Sequence, residues 1–272
     1  MSTATTVPLK IPGLNVSLSL HVHGQRDRVI SHRLREEGIW EPYETHLLLN
    51  FLDRGEVFVD VGANLGYFSV LAASCVGEEG RVYAFEPDPD NFALLLANSK
   101  GNGLDQRICA VQAALAERDG LGKLYVSEDN LGDHQVFDVD GRRDTREIRT
   151  LNGGAFLSAE GVSRIALLKV DTQGSEFSVM NGLLGFLETL SRPPRILIEL
   201  TPLSLRQAGA SGRALIERLA MLGQPFWIVD HIEHRLVASS EGELALWCDN
   251  VDSAPDDQGF MNILVGQGLE ND

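Results

Sequence analysis

The stretch Val57-Phe58-Val59-Asp60-Val61-Gly62-Ala63-Asn64-Leu65-Gly66 decides the fold. Its apolar, β-branched run reads as a buried strand, Gly62 and Gly66 mark a tight turn, and Tyr67 to Ala73 reads as the helix that follows. Such a turn lets backbone approach a ligand closely. A turn that cradles a pyrophosphate wants glycine at its first, third and sixth positions. Gly62 meets the first requirement, but Asn64 and Tyr67 hold the other two places. Asp60, beside the turn, would repel a pyrophosphate and attract the cationic amino acid end of S-adenosylmethionine. The reading therefore moves from a nicotinamide dinucleotide toward a sulfonium nucleoside.

Working outward, the 272 residues suffice for one large α/β domain with an N-terminal extension, which we place at residues 1–40, leaving 41–272 for the main domain. A formal net charge of −16 provides no basic field for a phosphate backbone and argues against nucleic acid as a partner. Cys75, Cys109 and Cys248 are far apart in sequence and show neither a disulfide framework nor zinc-ligand spacing. No basic segment followed by an apolar run opens the chain, and no apolar stretch approaches the roughly 20 residues that span a bilayer. The expectation is a cytoplasmic enzyme with no membrane partner, whose oligomeric state composition leaves open.

Residues 14–22 alternate Leu14, Val16, Leu18, Leu20 and Val22 with polar residues, the period of a half-buried strand, and Pro12-Gly13 predicts a hairpin with Val7 to Ile11. From Glu41 the spacing of Leu47, Leu48, Phe51 and Leu52 is helical. Strands are predicted near 57–60, 81–85, 108–112, 165–170 and 195–199, and helices near 66–76, 89–101, 175–189 and 211–222. This alternation implies a mostly parallel sheet with helices on both faces. The polar segment Ser127 to Arg149, with Asn130, Gly132, His134 and Gly141, reads as a long surface loop or a functional lid. The tail predicts strands at Phe226 to Val229, Arg235 to Val237 and Phe260 to Val265, an acidic loop at Asp252 to Asp257, and an antiparallel edge pair closing the sheet.

In open parallel sheets ligands bind beyond the carboxyl ends of the strands. Four predicted strands end in an acid, namely Asp60, Glu86, Asp171 and Glu199, and acids are rarely left at buried strand ends without a partner. Their recurrence predicts one polar pocket, although any single one of them could equally be a helix cap or a salt-bridge partner. Glu86, some two dozen residues after Asp60, stands where α/β nucleotide sites place an acid that accepts hydrogen bonds from ribose hydroxyls. Ala113 and Ala114 are small enough to let an adenine ring lie against backbone. Asp171 and Gly174 repeat the logic of the first turn at a later strand, with Ser175 expected as a plain helix N-cap and Glu176 as a favourable charge at the helix N-terminus.

Together, Asp60-Val61-Gly62-Ala63-Asn64-Leu65-Gly66, Phe85-Glu86-Pro87, Lys169-Val170-Asp171-Thr172-Gln173-Gly174-Ser175-Glu176 and Ile198-Glu199 resemble the FkbM family of S-adenosylmethionine-dependent methyltransferases over about residues 40 to 200. Trp40-Glu41-Pro42-Tyr43-Glu44-Thr45 resembles the helix that leads into that family's core, and the resemblance adds Glu44 to the cofactor-binding set. It implies a class I, Rossmann-like methyltransferase fold with a seven-stranded sheet whose last strand is antiparallel, and O-methylation of a hydroxyl on a small molecule, sugar or natural-product intermediate. One departure is Thr172-Gln173, where the family often has Val-Glu. The N-terminal strands and the 127–149 segment match no motif and are where substrate choice would lie.

Methyl transfer from a sulfonium is an in-line displacement, for which a protein supplies alignment and a route for the acceptor's proton. We expect Asp60, Gly62, Asn64 and Gly66 to hold the methionine portion, Glu86 the ribose and Ala114 the adenine edge. Asp171 is the first candidate to orient or deprotonate the acceptor and His134 the second, with Glu199 in the substrate pocket. A magnesium-assisted variant would draw its ligands from Asp171, Glu199 and His134. The competing classes are a nucleotide-dependent oxidoreductase and a non-catalytic adenosine-binding protein of the same fold.

Overall fold

The computed structural model describes residues 5–24, 27–127, 131, 134–136, 143–254 and 258–269. Its chain opens on an antiparallel pair, β1 (Thr5–Pro8) and β2 (Ser19–Val22), followed by α1 (Ile30–Glu37) and α2 (Pro42–Phe51). Strand and helix then alternate through β3 (Val57–Val61), α3 (Tyr67–Val76), β4 (Arg81–Phe85), α4 (Pro89–Gly101) and β5 (Ile108–Val111). A small sheet interrupts them, made of β6 (Ala114–Ala116), β7 (Gly120–Val126) and β8 (Asp144–Asn152), with α5 (Gly153–Ala159) leading back. The alternation resumes in β9 (Leu167–Val170), α6 (Glu176–Leu187), β10 (Arg195–Leu200), α7 (Pro202–Gln207), α8 (Gly212–Ala220) and β11 (Phe226–Asp230). It closes with β12 (Arg235–Ser239), α9 (Glu241–Ser253) and β13 (Met261–Val265).

The main sheet runs β12-β11-β13-β10-β9-β3-β4-β5, with β5, β4, β3, β9 and β10 mutually parallel and β13 antiparallel to both β10 and β11. Seven of these strands, the last in chain order antiparallel, fit the seven-stranded class I methyltransferase sheet that the resemblance implies, and β12 adds an eighth at the edge. Strand periodicity divides the core into two layers. Phe58, Val82, Leu167 and Leu197 face a cluster that includes Leu47, Leu71 and Leu95, whereas Val59, Val61, Val170 and Ile198 face Val179, Leu183, Leu215 and Leu244. Leu20 and Val22 of the N-terminal hairpin join the first layer, and the backbone of β2 is pinned to α4 by Asn98 and Asn102.

Two sequence expectations change here. Part of the predicted 127–149 loop is strand: residues 144–149 lie in β8 and pair with β7, opposing Lys123 to Glu147 and Tyr125 to Thr145. One pair of opposite charge and one aromatic–β-branched pair are among the cross-strand neighbours that support a ladder in so polar a segment. Asn130, Gly132 and Gly141 of that segment fall outside the described residues. The tail is not strand and loop alone, because α9 fills the space before β13 and ends in the acidic run, of which 255–257 are outside the described residues. Leu244, Ala245, Cys248 and Val251 bury one helical face, and Ser240 and Glu243 form a reciprocal capping box at its start. Among the described residues no helix is long and apolar enough to cross a membrane.

Candidate active site

At the carboxyl ends of β3, β4, β9 and β10 a narrow cleft opens into a larger cavity of about 560 Å³. Gly62, Asn64, Asp171 and Gln173 line both, so the first turn and the turn after β9 form the partition between them. Gly62 has φ +86°, its N–H bonds the Phe85 carbonyl, and a Cβ there would lie 1.9 Å from the Asp171 carbonyl oxygen. Only glycine lets the two turns approach this closely.

The cleft is apolar on its walls, where Phe85, Ala114, Leu115, Leu124 and Leu131 stand, and acidic at its floor. Glu86 Oε2 accepts the Asn64 N–H at 2.8 Å and Oε1 accepts the Asp88 N–H at 2.8 Å. Each oxygen keeps a lone pair for a further donor. Burial, only partly offset by these two donors, pushes Glu86 up to about 8. Asn64 sits in the left-handed region at φ +50°, and its side chain and that of Asn91 both donate to the Leu131 carbonyl, tying the segment after β7 across the cleft. Ser175 Oγ, buried in the cleft lining, has no hydrogen-bond partner among the described residues. Ser175 therefore does not cap α6 with its side chain; Glu176 instead accepts from the Thr172 and Gly174 N–H groups and the Thr172 hydroxyl.

The larger cavity centres on a buried lysine. Lys169 Nζ donates to Asp171 Oδ2 at 2.8 Å, lies 3.9 Å from Glu41 Oε2 and 4.5 Å from the centre of the Phe68 ring. Burial alone would lower Lys169, but Asp171, Glu41, Glu44 and Asp60 outweigh it and hold the ammonium charged. Burial likewise opposes the Asp171 carboxylate, yet Lys169 and the Gln173 amide bring it below its ordinary value. Glu199 is raised well above its ordinary value by burial and then by the charges of Asp171, Glu176 and Glu41. Around this floor stand Trp40, Tyr67 and Phe68, with His231, His234 and Asn262 contributed by the β11–β12 turn and β13. Burial lowers His231, which keeps its imidazole neutral at physiological pH.

The structure brings Glu86, Ala114 and His134 to the cleft, Glu199 to the cavity, and Gly62, Asn64 and Asp171 to both. Asp60, Glu44 and Gly66 line neither. Asp60 has the same parity in β3 as Phe58, so it points into the α3 layer, accepts from Ser69 Oγ at 2.6 Å and faces Lys169 across the ladder. Burial lifts its carboxyl to about 6, against the opposing charge of Lys169. Glu44 is sealed in α2, with burial and Glu41 raising it well above its ordinary value. Gly66 begins α3 at φ +89°, where a Cβ would strike Leu95. His134 is a cleft residue whose Nδ1 accepts the Ser127 N–H, so the trio expected to bind magnesium is not assembled. Among the described residues no group of three or more His, Cys, Asp or Glu side chains is disposed to hold a metal ion. Sequence reading missed Lys169, Glu41, His231 and His234; a lysine inside the apolar strand Leu167–Val170 was the one available signal.

Residues 60–226 match the Methyltransferase FkbM domain family. The chain belongs to that family. Among FkbM-related proteins, the hexuronic acid methyltransferase AglP of Haloferax volcanii is 26% identical over 146 residues, covering 53% of this chain and 57% of that protein. The 31-O-demethyl-FK506 methyltransferase FkbM of Streptomyces tacrolimicus is 28% identical over 159 residues, covering 47% and 59%. The chain thus spans less than two thirds of the length of either relative. A crystal structure of methyltransferase FkbM from Methylobacillus flagellatus KT aligns over 79% of this chain and 44% of its own, with 15% identity and a TM-score of 0.45, a likeness on which no functional point rests.

Proposed function

We propose that this FkbM-family chain transfers the methyl group of S-adenosylmethionine to a hydroxyl of a small molecule or sugar. The observation that carries the reading is the shared partition: Gly62, Asn64, Asp171 and Gln173 border both the narrow cleft and the larger cavity. The cleft suits the cofactor in its chemistry, because Glu86 keeps acceptor capacity on both oxygens for a ribose diol and Ser175 Oγ is an orphaned polar atom beside apolar walls against which a purine would lie. Ala114 and Leu115 would flank that purine, and the turn from Gly62 to Gly66 would carry the amino acid end. When bound, the cofactor supplies an electrophilic methyl group on a sulfonium.

The remaining chemistry belongs to the protein. Asp171, held ionised by Lys169 and 27% exposed at its side chain, orients the acceptor hydroxyl and receives its proton as the new bond forms. Aromatic side chains of Trp40, Tyr67 and Phe68 exclude water from the junction. The AglP and FkbM relatives are named for hexuronic acid and 31-O-demethyl-FK506 acceptors, which supports a hydroxyl acceptor here as well.

Calorimetric titration with S-adenosylhomocysteine tests both halves. Glu86→Gln is expected to weaken binding by about a hundredfold, the loss of a charge-assisted bond to the ribose worth roughly 3 kcal/mol. Because Glu86 titrates at about 8 in the free protein and ribose donors favour its ionised form, the parent's affinity should rise between about pH 6 and 8.5. The same profile should be flat in Glu86→Gln, and equal affinities for parent and variant would refute the cleft assignment. Asp171→Asn should bind the nucleoside within about threefold of the parent, yet methylate any acceptor the parent accepts roughly 100 to 1,000 times more slowly.

A further inference from the structure

The floor of the larger cavity brings two acids within reach of one amide. Gln173 Nε2 donates to Asp171 Oδ1 at 2.9 Å and to Glu199 Oε2 at 2.9 Å. With a carboxylate oxygen at each site, the orientation of the amide is fixed, since its carbonyl end would be repelled. Gln173 adopts φ +55°, a left-handed conformation that a residue with a Cβ enters at a cost of roughly 1 kcal/mol, and Gly174 continues the turn at φ +110°. That backbone conformation turns the side chain inward between β9 and β10. Two carboxylates sharing a site repel one another unless a proton, a cation or a neutral donor stands between them. Here both amide protons are engaged, one on each acid, while Asp171 Oδ2 is taken by Lys169.

We propose that Gln173 is a positioning residue whose side-chain amide binds Asp171 and Glu199 into one acceptor-facing pair and fills the place a divalent cation would otherwise occupy between them. This rests on the reading of the cavity as the acceptor site. The amide supplies two donors at fixed spacing without adding charge, so the pair presents its outward lone pairs to a hydroxyl with no metal bridging the two acids. Replacing Gln173 by an acid of the same length removes both donors, adds a third carboxylate and creates the oxygen-rich cluster that hard cations bind.

Manganese binding to the full-length chain, followed by calorimetry and by the electron paramagnetic resonance signal of free Mn²⁺, tests this directly. Gln173→Glu is expected to bind one Mn²⁺ per chain about tenfold or more tightly than the parent, with Gln173→Ala, which empties the place between the two acids but adds no ligand, falling between them. In Gln173→Ala, the ¹³C-carboxyl resonance of Asp171 should titrate at higher pH than in the parent, a signature that loss of packing alone does not produce. A parent that binds Mn²⁺ as tightly as Gln173→Glu overturns the proposal, as does an Asp171 titration that is the same in parent and Gln173→Ala. Titrating S-adenosylhomocysteine into the same samples reports separately on the cleft, so failure of the methyltransferase reading and failure of the clamp give different results.

Discussion

Alanine at position 62 should cost the fold at least about 4 kcal/mol and abolish nucleoside binding in whatever folded protein remains. Two independent penalties add there. The backbone sits at φ +86°, where a Cβ costs roughly 1 kcal/mol, and the added carbon would lie 1.9 Å from the Asp171 carbonyl oxygen and 2.9 Å from its carbon. Neither neighbour is a flexible side-chain tip. Relief requires parting the ends of β3 and β9, which are held by the Asp171 N–H on the Val61 carbonyl, while the Gly62 N–H on the Phe85 carbonyl ties the same turn to β4. Gly185→Ala is the matching control. That glycine is exposed within α6 with nothing near its missing Cβ, so alanine there should stabilise by about 0.5 to 1 kcal/mol. Urea denaturation of the two variants beside the parent gives the comparison, and a Gly62→Ala protein within about 1 kcal/mol of the parent would show that the turns are not locked together as described.

The second large effect is expected from Lys169→Met, which keeps the volume of the side chain and removes its charge. Asp171, Glu41, Glu44 and Asp60 would then share a buried region without their common counter-ion, a change of about 3 to 5 kcal/mol. The pH dependence gives this loss a distinctive form. Lys169 holds Asp171 below its ordinary value and restrains the rise of Asp60, so removing it raises both folded-state values. Raised carboxyls stabilise a fold while they stay protonated and lose that contribution as the pH climbs through their folded values. The deficit relative to the parent should therefore be larger at pH 8 than at pH 5. A deficit that is the same at both pH values would mean that packing, not charge, is what the lysine provides.

Much of this architecture was legible from short sequence patterns. Strand periodicity in Val57 to Val61 and Leu167 to Val170, broken by Gly62 and Gly174, located the two turns that form the partition, because a buried parallel strand must be apolar and the backbone after it must bend sharply. The acids Glu86, Asp171 and Glu199 were identifiable for the same reason, each being a charge at the end of an apolar run. The surroundings of Asp60 were not legible, because the identity of a strand-end acid does not reveal which sheet face it occupies; its parity in β3 turns it toward Ser69, and it lines neither the cleft nor the cavity. His231 and His234 could not be found locally. They reach the cavity only because β13 separates β11 from β10 and swings the β11–β12 turn over α2, where His234 stacks on Tyr43 with ring centres 5.7 Å apart. Helix α9 was legible in principle, since Ser240 and Glu243 carry the capping spacing, but the strand-like runs on both sides obscured it.

The placement of β13 also bears on how the protein emerges from the ribosome. This strand lies between β10 and β11, yet residues 261–265 follow every other strand in chain order. Until residue 265 has been synthesised, β10 has an open edge and the β11–β12 hairpin has no berth in the sheet. From the synthesis of β10 until that of β13, the nascent chain must carry an apolar margin containing Ile196, Ile198 and Leu200. Cotranslational folding should therefore proceed in two stages, an early part built on β3, β4, β5 and β9 and an abrupt closure once β13 emerges, with the interval between them the window in which a chaperone is needed.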